Sequence, residues 1–302
     1  MPATLIKAKS HDLGHGLIVQ RSLPSAARRM IGPFIFFDHA GPVQMDARSA
    51  RLADVRPHPH IGLSTVSYLL SGAVTHRDSL GFEQLIRPGE VNWMTAGRGI
   101  VHSERFDHPD AFAGNGLELL QSWVALPEVD EETEPSFTNY PAQVLPETQN
   151  DGVWMRVIAG TAFGLRSPVK THSPLFYLHT VLQAGAKLDL PTQYSERAGY
   201  VVSGRILIES EGQEITRGQM LVFDDNGVSS LRAMEPSTVM LLGGEPLGTR
   251  HIWWNFVSSR KERIQQAADD WKAGRLKLPP NDNKEFIPLP EEPTKSPPEP
   301  LS

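Results

Sequence analysis

Short apolar runs separated by glycine and proline recur along the chain, and this pattern constrains the fold more than any other feature. The clearest runs are Val66–Leu70, Val91–Met94, Phe176–Val181, Tyr200–Val202 and Val239–Leu242. Short runs bounded by turn residues are typical of β-strands. The 25 Gly and 25 Pro residues supply many turns, as barrels and sandwiches require. The pattern therefore predicts an all-β protein.

The length of 302 residues favours two domains. Between Pro127 and Asp151 the sequence is acidic, contains several prolines and lacks periodicity, as a connection between domains would. We predict an N-terminal β domain over residues 1–135, a C-terminal β domain over residues 136–275 and an extended Pro-rich tail over residues 276–302.

A weak internal repeat supports this division. The segment Tyr68–Gly72 reads YLLSG, and Tyr200–Gly204 reads YVVSG. Each copy is followed by a second glycine turn, at Gly89 and Gly218, that leads into another apolar run. The two halves are therefore predicted to be related β units.

One helix is predicted near the C-terminus, before the tail. Ser259 and Glu262 have the spacing of a capping box. Apolar residues then follow at helical spacing up to Gly274: Ile264, Ala267, Ala268 and Trp271. We predict a short amphipathic helix packed on a barrel, followed by an extended tail that Phe286 and Ile287 would pin.

Composition excludes several classes of protein. A net charge of -6 and a pI near 6.0 provide no basic surface for nucleic acid. The absence of cysteine leaves only nitrogen and oxygen ligands for a metal and is compatible with a reducing compartment. The chain has neither a secretory leader nor a long apolar stretch, so we expect a cytoplasmic protein that binds no membrane.

Two pairs of potential metal ligands stand out: His58 with His60, and His102 with Glu104. Residues two apart on a strand point to the same face of the sheet. Two such pairs on facing strands would offer three imidazoles and one carboxylate to one ion. This donor set suits Fe, Mn, Ni, Cu or Zn and leaves positions open for substrate.

Other patterns are weaker. His76-Arg77-Asp78 lacks the context of a kinase catalytic loop and is predicted to be a turn next to the site. No Gly-x-Ser-x-Gly elbow of an α/β-hydrolase occurs.

The segments HPHIGLSTVSYLLSG, HRDSLG and PGEVNWMTAGRGIVHSE, which lie within residues 58–104, resemble the metal-binding core of pirins, a branch of the cupin superfamily. The resemblance extends over about residues 5 to 275. It implies a bicupin, with two jelly-roll-like β-barrels packed face to face. It also implies that His58, His60, His102 and Glu104 hold the metal of the N-terminal barrel.

The second half departs from the cupin pattern. Pro191 and Gln193 stand where a cupin histidine pair would lie. The C-terminal barrel is therefore expected to hold no metal, unlike enzymes that resemble oxalate decarboxylase.

The resemblance implies an oxidoreductase: a metal-dependent dioxygenase, similar to quercetin 2,3-dioxygenase, that cleaves a flavonol-type small molecule with dioxygen. Its cofactor would be one divalent ion, with Fe(II) preferred and Mn, Ni, Cu, Zn or Co as alternatives. Glu104 would accept the proton of the substrate hydroxyl. The alternative is a non-enzymatic regulator that senses metal or redox state and binds a transcription factor or metabolic enzyme.

Overall fold

The structure is a computed structural model that describes residues 4–13, 16–112, 116–223, 230–290 and 300–301. Within these residues the strands are, in chain order, β1 (Thr4–Lys7), β2 (Lys9–Asp12), β3 (Ile18–Leu23), β4 (Phe34–Val43), β5 (Val55–His60), β6 (Leu63–Ser71), β7 (Val74–Asp78), β8 (Glu83–Ile86), β9 (Val91–Thr95), β10 (Ile100–Arg105), β11 (Leu117–Ala125), β12 (Ser136–Tyr140), β13 (Glu147–Asn150), β14 (Val153–Ala162), β15 (Leu165–Arg166), β16 (Leu175–Leu182), β17 (Lys187–Asp189), β18 (Glu196–Ser203), β19 (Arg205–Ile208), β20 (Gln213–Thr216), β21 (Gln219–Phe223), β22 (Ser230–Ala233), β23 (Ser237–Gly244), β24 (Arg250–Trp253), β25 (Phe256–Ser258) and β26 (Pro300–Leu301).

Helices occupy a small part of the chain. The α-helices are α1 (Ala47–Leu52) and α2 (Lys261–Lys272), and short 3-10 turns are formed by Pro109–Phe112, Glu128–Asp130 and Ala142–Val144. All five apolar runs named above lie in strands. The prediction of an all-β protein with a short C-terminal helix is confirmed. No helix among the described residues is long and apolar enough to cross a membrane.

The chain divides into two compact units. Unit 1 comprises Met1–Ser10, Gln20–His39 and Pro141–Pro246, and unit 2 comprises His11–Val19, Ala40–Tyr140 and Leu247–Ser302. The predicted domain limits stay a prediction. The compact units differ from them in two ways, since Gln20–His39 belongs to unit 1 and helix α2 belongs to unit 2.

Unit 1 consists mainly of two antiparallel sheets. One has the strand order β1-β21-β18-β23-β16-β14-β13, and the other has the order β17-β22-β19-β20. Apolar side chains from both sheets form one buried cluster, including Val157 and Phe176 of the first sheet and Ile206 and Leu231 of the second. The interior of unit 1 is thus a packed apolar core.

Unit 2 contains the four-stranded sheet β5-β10-β7-β8 and the neighbouring strands β12-β9-β6-β11 of a larger sheet. The two halves of the predicted repeat adopt the same local structure. Gly89 N–H donates to Leu69 O in unit 2, and Gly218 N–H donates to Val201 O in unit 1, each at 2.9 Å. Tyr68 and Tyr200, at equivalent positions of the repeat, are both fully buried.

Helix α2 packs on the sheet that carries the candidate ligands. Its predicted apolar face, Ile264, Ala267, Ala268 and Trp271, is buried in one cluster with Ile61, Val101 and Phe256. The predicted capping box is wrong. The helix has Arg260 at its N-cap without a side-chain cap, because the Ser259 hydroxyl and amide both bond to the Glu131 carboxylate, at 3.1 and 2.8 Å.

Candidate metal centre

Two neighbouring strands position the predicted ligands. In the antiparallel pair β5 and β10, His102 lies opposite His58 and Ile100 lies opposite His60. Since residues two apart on a strand share a face, all three histidine side chains project from the same side of the sheet. The strands are hydrogen-bonded neighbours rather than facing strands, which corrects that detail of the prediction.

The three histidines form a compact buried cluster. Each offers a ring nitrogen, and these three atoms lie within 4.8 Å of one another. The ring centroids of His58 and His102 are 4.4 Å apart, and those of His60 and His102 are 5.0 Å apart. Exposure is 6% for His58, 1% for His60 and 2% for His102. The structure therefore brings these three side chains together, and their role as metal ligands stays a prediction.

Burial keeps these imidazoles neutral. It lowers the pKa of His58 to about 4 and the pKa values of His60 and His102 well below the usual range. The charged form loses its hydration in the interior, and positive charge on one ring disfavours positive charge on the next. A neutral imidazole has the lone pair that a metal ligand needs.

Two ring nitrogens of the cluster are buried without a hydrogen-bond partner, Nδ1 of His60 and Nε2 of His102. The other nitrogen of His60 bonds to the backbone of Asn255, and Nδ1 of His58 donates to Arg56 O at 2.9 Å. Buried polar atoms are ordinarily paired, so unpartnered nitrogens in a three-histidine cluster fit a divalent cation. Each histidine is oriented through one nitrogen and has the other available.

Glu104 lies two residues beyond His102, but the register of β5 and β10 shifts between these positions. The single hydroxyl proton of Ser67 faces two acceptors, Gln121 Oε1 at 2.8 Å and Glu104 Oε1 at 3.4 Å. Burial raises the pKa of the Glu104 carboxyl to about 7. The group of nitrogens within 4.8 Å does not include Glu104, so its role as the fourth ligand stays a prediction.

Several residues that surround the cluster were not predicted. The Trp123 ring packs edge-on against His60, with the ring centroids 5.1 Å apart. Ser67 lies between Glu104 and Gln121. His76 and Asp78 lie in strand β7, so their prediction as a turn is wrong. Only strand pairing, which joins distant segments, brings these side chains to the cluster. Their short spacing, two residues apart on one strand, was the available signal.

Sequence comparison identifies both halves. Residues 16–124 match the model of the pirin family, and residues 177–277 match that of the pirin C-terminal cupin domain. A pirin-like protein of Caulobacter vibrioides is 54% identical over 94% of this chain and 98% of its own length.

Solved structures agree. A crystal structure of quercetin 2,3-dioxygenase from Acinetobacter baumannii has a TM-score of 0.86 and 34% identity, over 97% of both chains. A second quercetin 2,3-dioxygenase structure from that organism has a TM-score of 0.82 and 29% identity, over 91% of this chain and 97% of the other.

The fold is therefore that of a bicupin, as predicted. The chain belongs to the pirin family.

Proposed function

We propose that this pirin is a metal-dependent dioxygenase that cleaves a flavonol-type substrate. The observation that carries the proposal is the convergence of three buried, neutral histidines with two unpartnered nitrogens. Similarity to the Acinetobacter quercetin 2,3-dioxygenase over nearly the whole of both chains supports the substrate class.

The proposed cofactor is one divalent ion on His58, His60, His102 and Glu104. Fe(II) is our first choice, and Mn, Ni, Cu, Zn and Co are compatible with the same nitrogen and oxygen donors. When bound, such an ion supplies Lewis-acid activation of a substrate hydroxyl and a site for dioxygen chemistry.

Glu104 is the proposed general base. Without metal, burial raises the pKa of its carboxyl to about 7. A bound cation would lower this pKa and keep the group as the carboxylate that accepts a proton. The Ser67 hydroxyl lies between this carboxylate and Gln121, and its one proton can be donated to either. Loss of the carboxylate should therefore affect turnover more than substrate binding.

The test is the loss of flavonol absorbance by metal-loaded protein under air and under nitrogen. We expect turnover that requires dioxygen, with a kcat about a hundredfold lower or more in Glu104→Gln. Glu214→Gln, which changes an exposed carboxylate in unit 1, is the matched control and should behave as wild type. Absence of turnover with every metal would refute the proposal and favour the predicted alternative, a redox-sensing regulator.

A further inference from the structure

A buried His–Asp pair lies behind His102 and has no part in the proposed function. His76 is 4% exposed and Asp78 is 0% exposed. The His76 Nε2 and Asp78 Oδ2 atoms are 2.9 Å apart, and Nδ1 of His76 lies 3.4 Å from Nδ1 of His102. The three side chains form a continuous chain from a carboxylate to a proposed metal ligand.

Strand pairing and stacking fix this chain in place. In the pair β7 and β10, Asp78 lies opposite His102. The Phe137 ring stacks on His76 at 4.1 Å with an interplanar angle of 7°. The His76 ring therefore has little freedom to turn away from either neighbour.

The hydrogen bonds of Asp78 give the chain a direction. Its Oδ1 accepts from the backbone amides of Leu80 and Phe82, at 2.9 and 3.1 Å. A carboxylate only accepts hydrogen bonds, so Oδ2 accepts the Nε2 proton of His76. In the neutral ring, Nδ1 of His76 then carries the lone pair and can accept from Nδ1–H of His102.

We infer that Asp78 and His76 are positioning residues that set the tautomer of His102. With its proton held on Nδ1, His102 presents the lone pair of Nε2, the atom that is buried without a hydrogen-bond partner, to the histidine cluster. This inference rests on the proposed function, because His102 is one of the proposed ligands. Partners of this kind orient metal-binding histidines and raise their basicity.

Asp78→Asn reverses the direction of the hydrogen bonds from residue 78 through His76 to His102, with little change in side-chain shape. The two backbone amides hold the side-chain oxygen at the Oδ1 position, so the new amide nitrogen faces His76 and donates to its Nε2. His76 then donates from Nδ1 to His102, which leaves the proton of His102 on Nε2. The tautomer that binds metal must be restored before an ion can enter.

The first measurement is nitrogen NMR of histidine-labelled, metal-free protein, which distinguishes protonated Nδ1 from protonated Nε2. We expect His102 to carry its proton on Nδ1 in wild type and on Nε2 in Asp78→Asn. This readout needs no metal, so it tests the inference even if the proposed function fails. Retention of the Nδ1 proton in the variant would overturn the inference.

The second measurement is the affinity for Co(II), followed through its absorption spectrum. We expect a loss of about tenfold to a hundredfold in Asp78→Asn. Asp107→Asn is the matched control, because Asp107 bonds to Thr75 and Arg77 next to the same sheet, and the histidine that it faces at 3.6 Å, His108, is exposed and is not a proposed ligand. Equal affinity of wild type and Asp78→Asn would overturn the inference, whereas absence of Co(II) binding by wild type would contradict the proposed function.

A second variant guards against a folding defect in Asp78→Asn. His76→Phe keeps an aromatic ring against Phe137 and removes the acceptor of His102. Adding Asp78→Asn to His76→Phe should weaken Co(II) binding no further, since the carboxylate acts through His76. Additive losses in the double variant would show that Asp78 acts by another route and would overturn the inference.

Discussion

The segment after helix α2 is predicted to be a structural part of unit 2, and Asp282→Ala tests this most sharply. The Asp282 carboxylate accepts from the Ser103 hydroxyl at 2.6 Å, and from Nε and Nη2 of Arg105 at 2.7 Å each. Ser103 and Arg105 alternate with His102 and Glu104 along β10. Asp282 therefore holds the strand of the proposed ligands from its opposite face.

The expected loss follows from these contacts. Hydrogen bonds to charged groups contribute about 1.5 to 3 kcal/mol each. Arg105 keeps Asp54 at 3.3 Å and Glu285 at 3.1 Å, which offsets part of the cost of leaving the guanidinium buried. We therefore expect the free energy of local opening to fall by about 3 kcal/mol in Asp282→Ala, which corresponds to roughly a hundredfold in exchange rate.

The assay is amide hydrogen exchange of peptides that cover residues 276–290 and β10. Glu285→Gln is the control: its carboxylate bonds to the same guanidinium but is 49% exposed, so its loss should change exchange by a few-fold at most. A change of less than about threefold in Asp282→Ala would refute the reasoning and leave the segment as a passive tail.

Three further predictions concern stability. Glu131→Ala leaves the buried Arg250 guanidinium without its ion-pair partner at 3.1 Å. The free energy of unfolding of unit 2, measured with urea, should fall by about 3 to 5 kcal/mol. Gly62→Ala places a Cβ 2.0 Å from Val257 O at a φ of +69°. The urea concentration at the unfolding midpoint should therefore fall in this variant, and an unchanged midpoint would contradict the geometry. Burial lowers the pKa of His179 to about 4, so the unfolded chain binds more protons between this value and about 6.5. Stability should therefore fall as pH drops through that window, by about 2 kcal/mol at about pH 5, and His179→Gln should abolish this contribution.

Local pattern was sufficient for the strands and for the repeat. Gly72 and Gly204 have φ values of 83° and 81°, a conformation that glycine adopts without strain. Each ends a strand at the same point of its unit, which is why the two short segments matched. His58 and His60 likewise point to the same face of the sheet, as predicted from their spacing, because alternation along a strand is a purely local property.

Features that depend on tertiary contacts could not be predicted from local sequence patterns. The Ser259 hydroxyl donates its hydrogen bond to Glu131. It therefore does not cap α2 as predicted, because a residue far away in the chain accepts the bond. Helix α1 was not predicted, although Asp46 and Ser49 form a capping box at its start. The tail was expected to be extended and pinned by Phe286 and Ile287. No local pattern indicates that the Asp282 carboxylate bonds to Ser103 and Arg105 of β10.

The proposed function requires a metal ion at the three-histidine cluster. The most direct test is the metal content of protein purified without added chelator, for wild type and His102→Ala. We predict close to one divalent ion per chain in wild type and a large loss in the variant, because His102 contributes one of the three converging ring nitrogens. A wild-type protein that holds no ion even after reconstitution, or a His102→Ala variant that holds as much as wild type, would contradict the central claim.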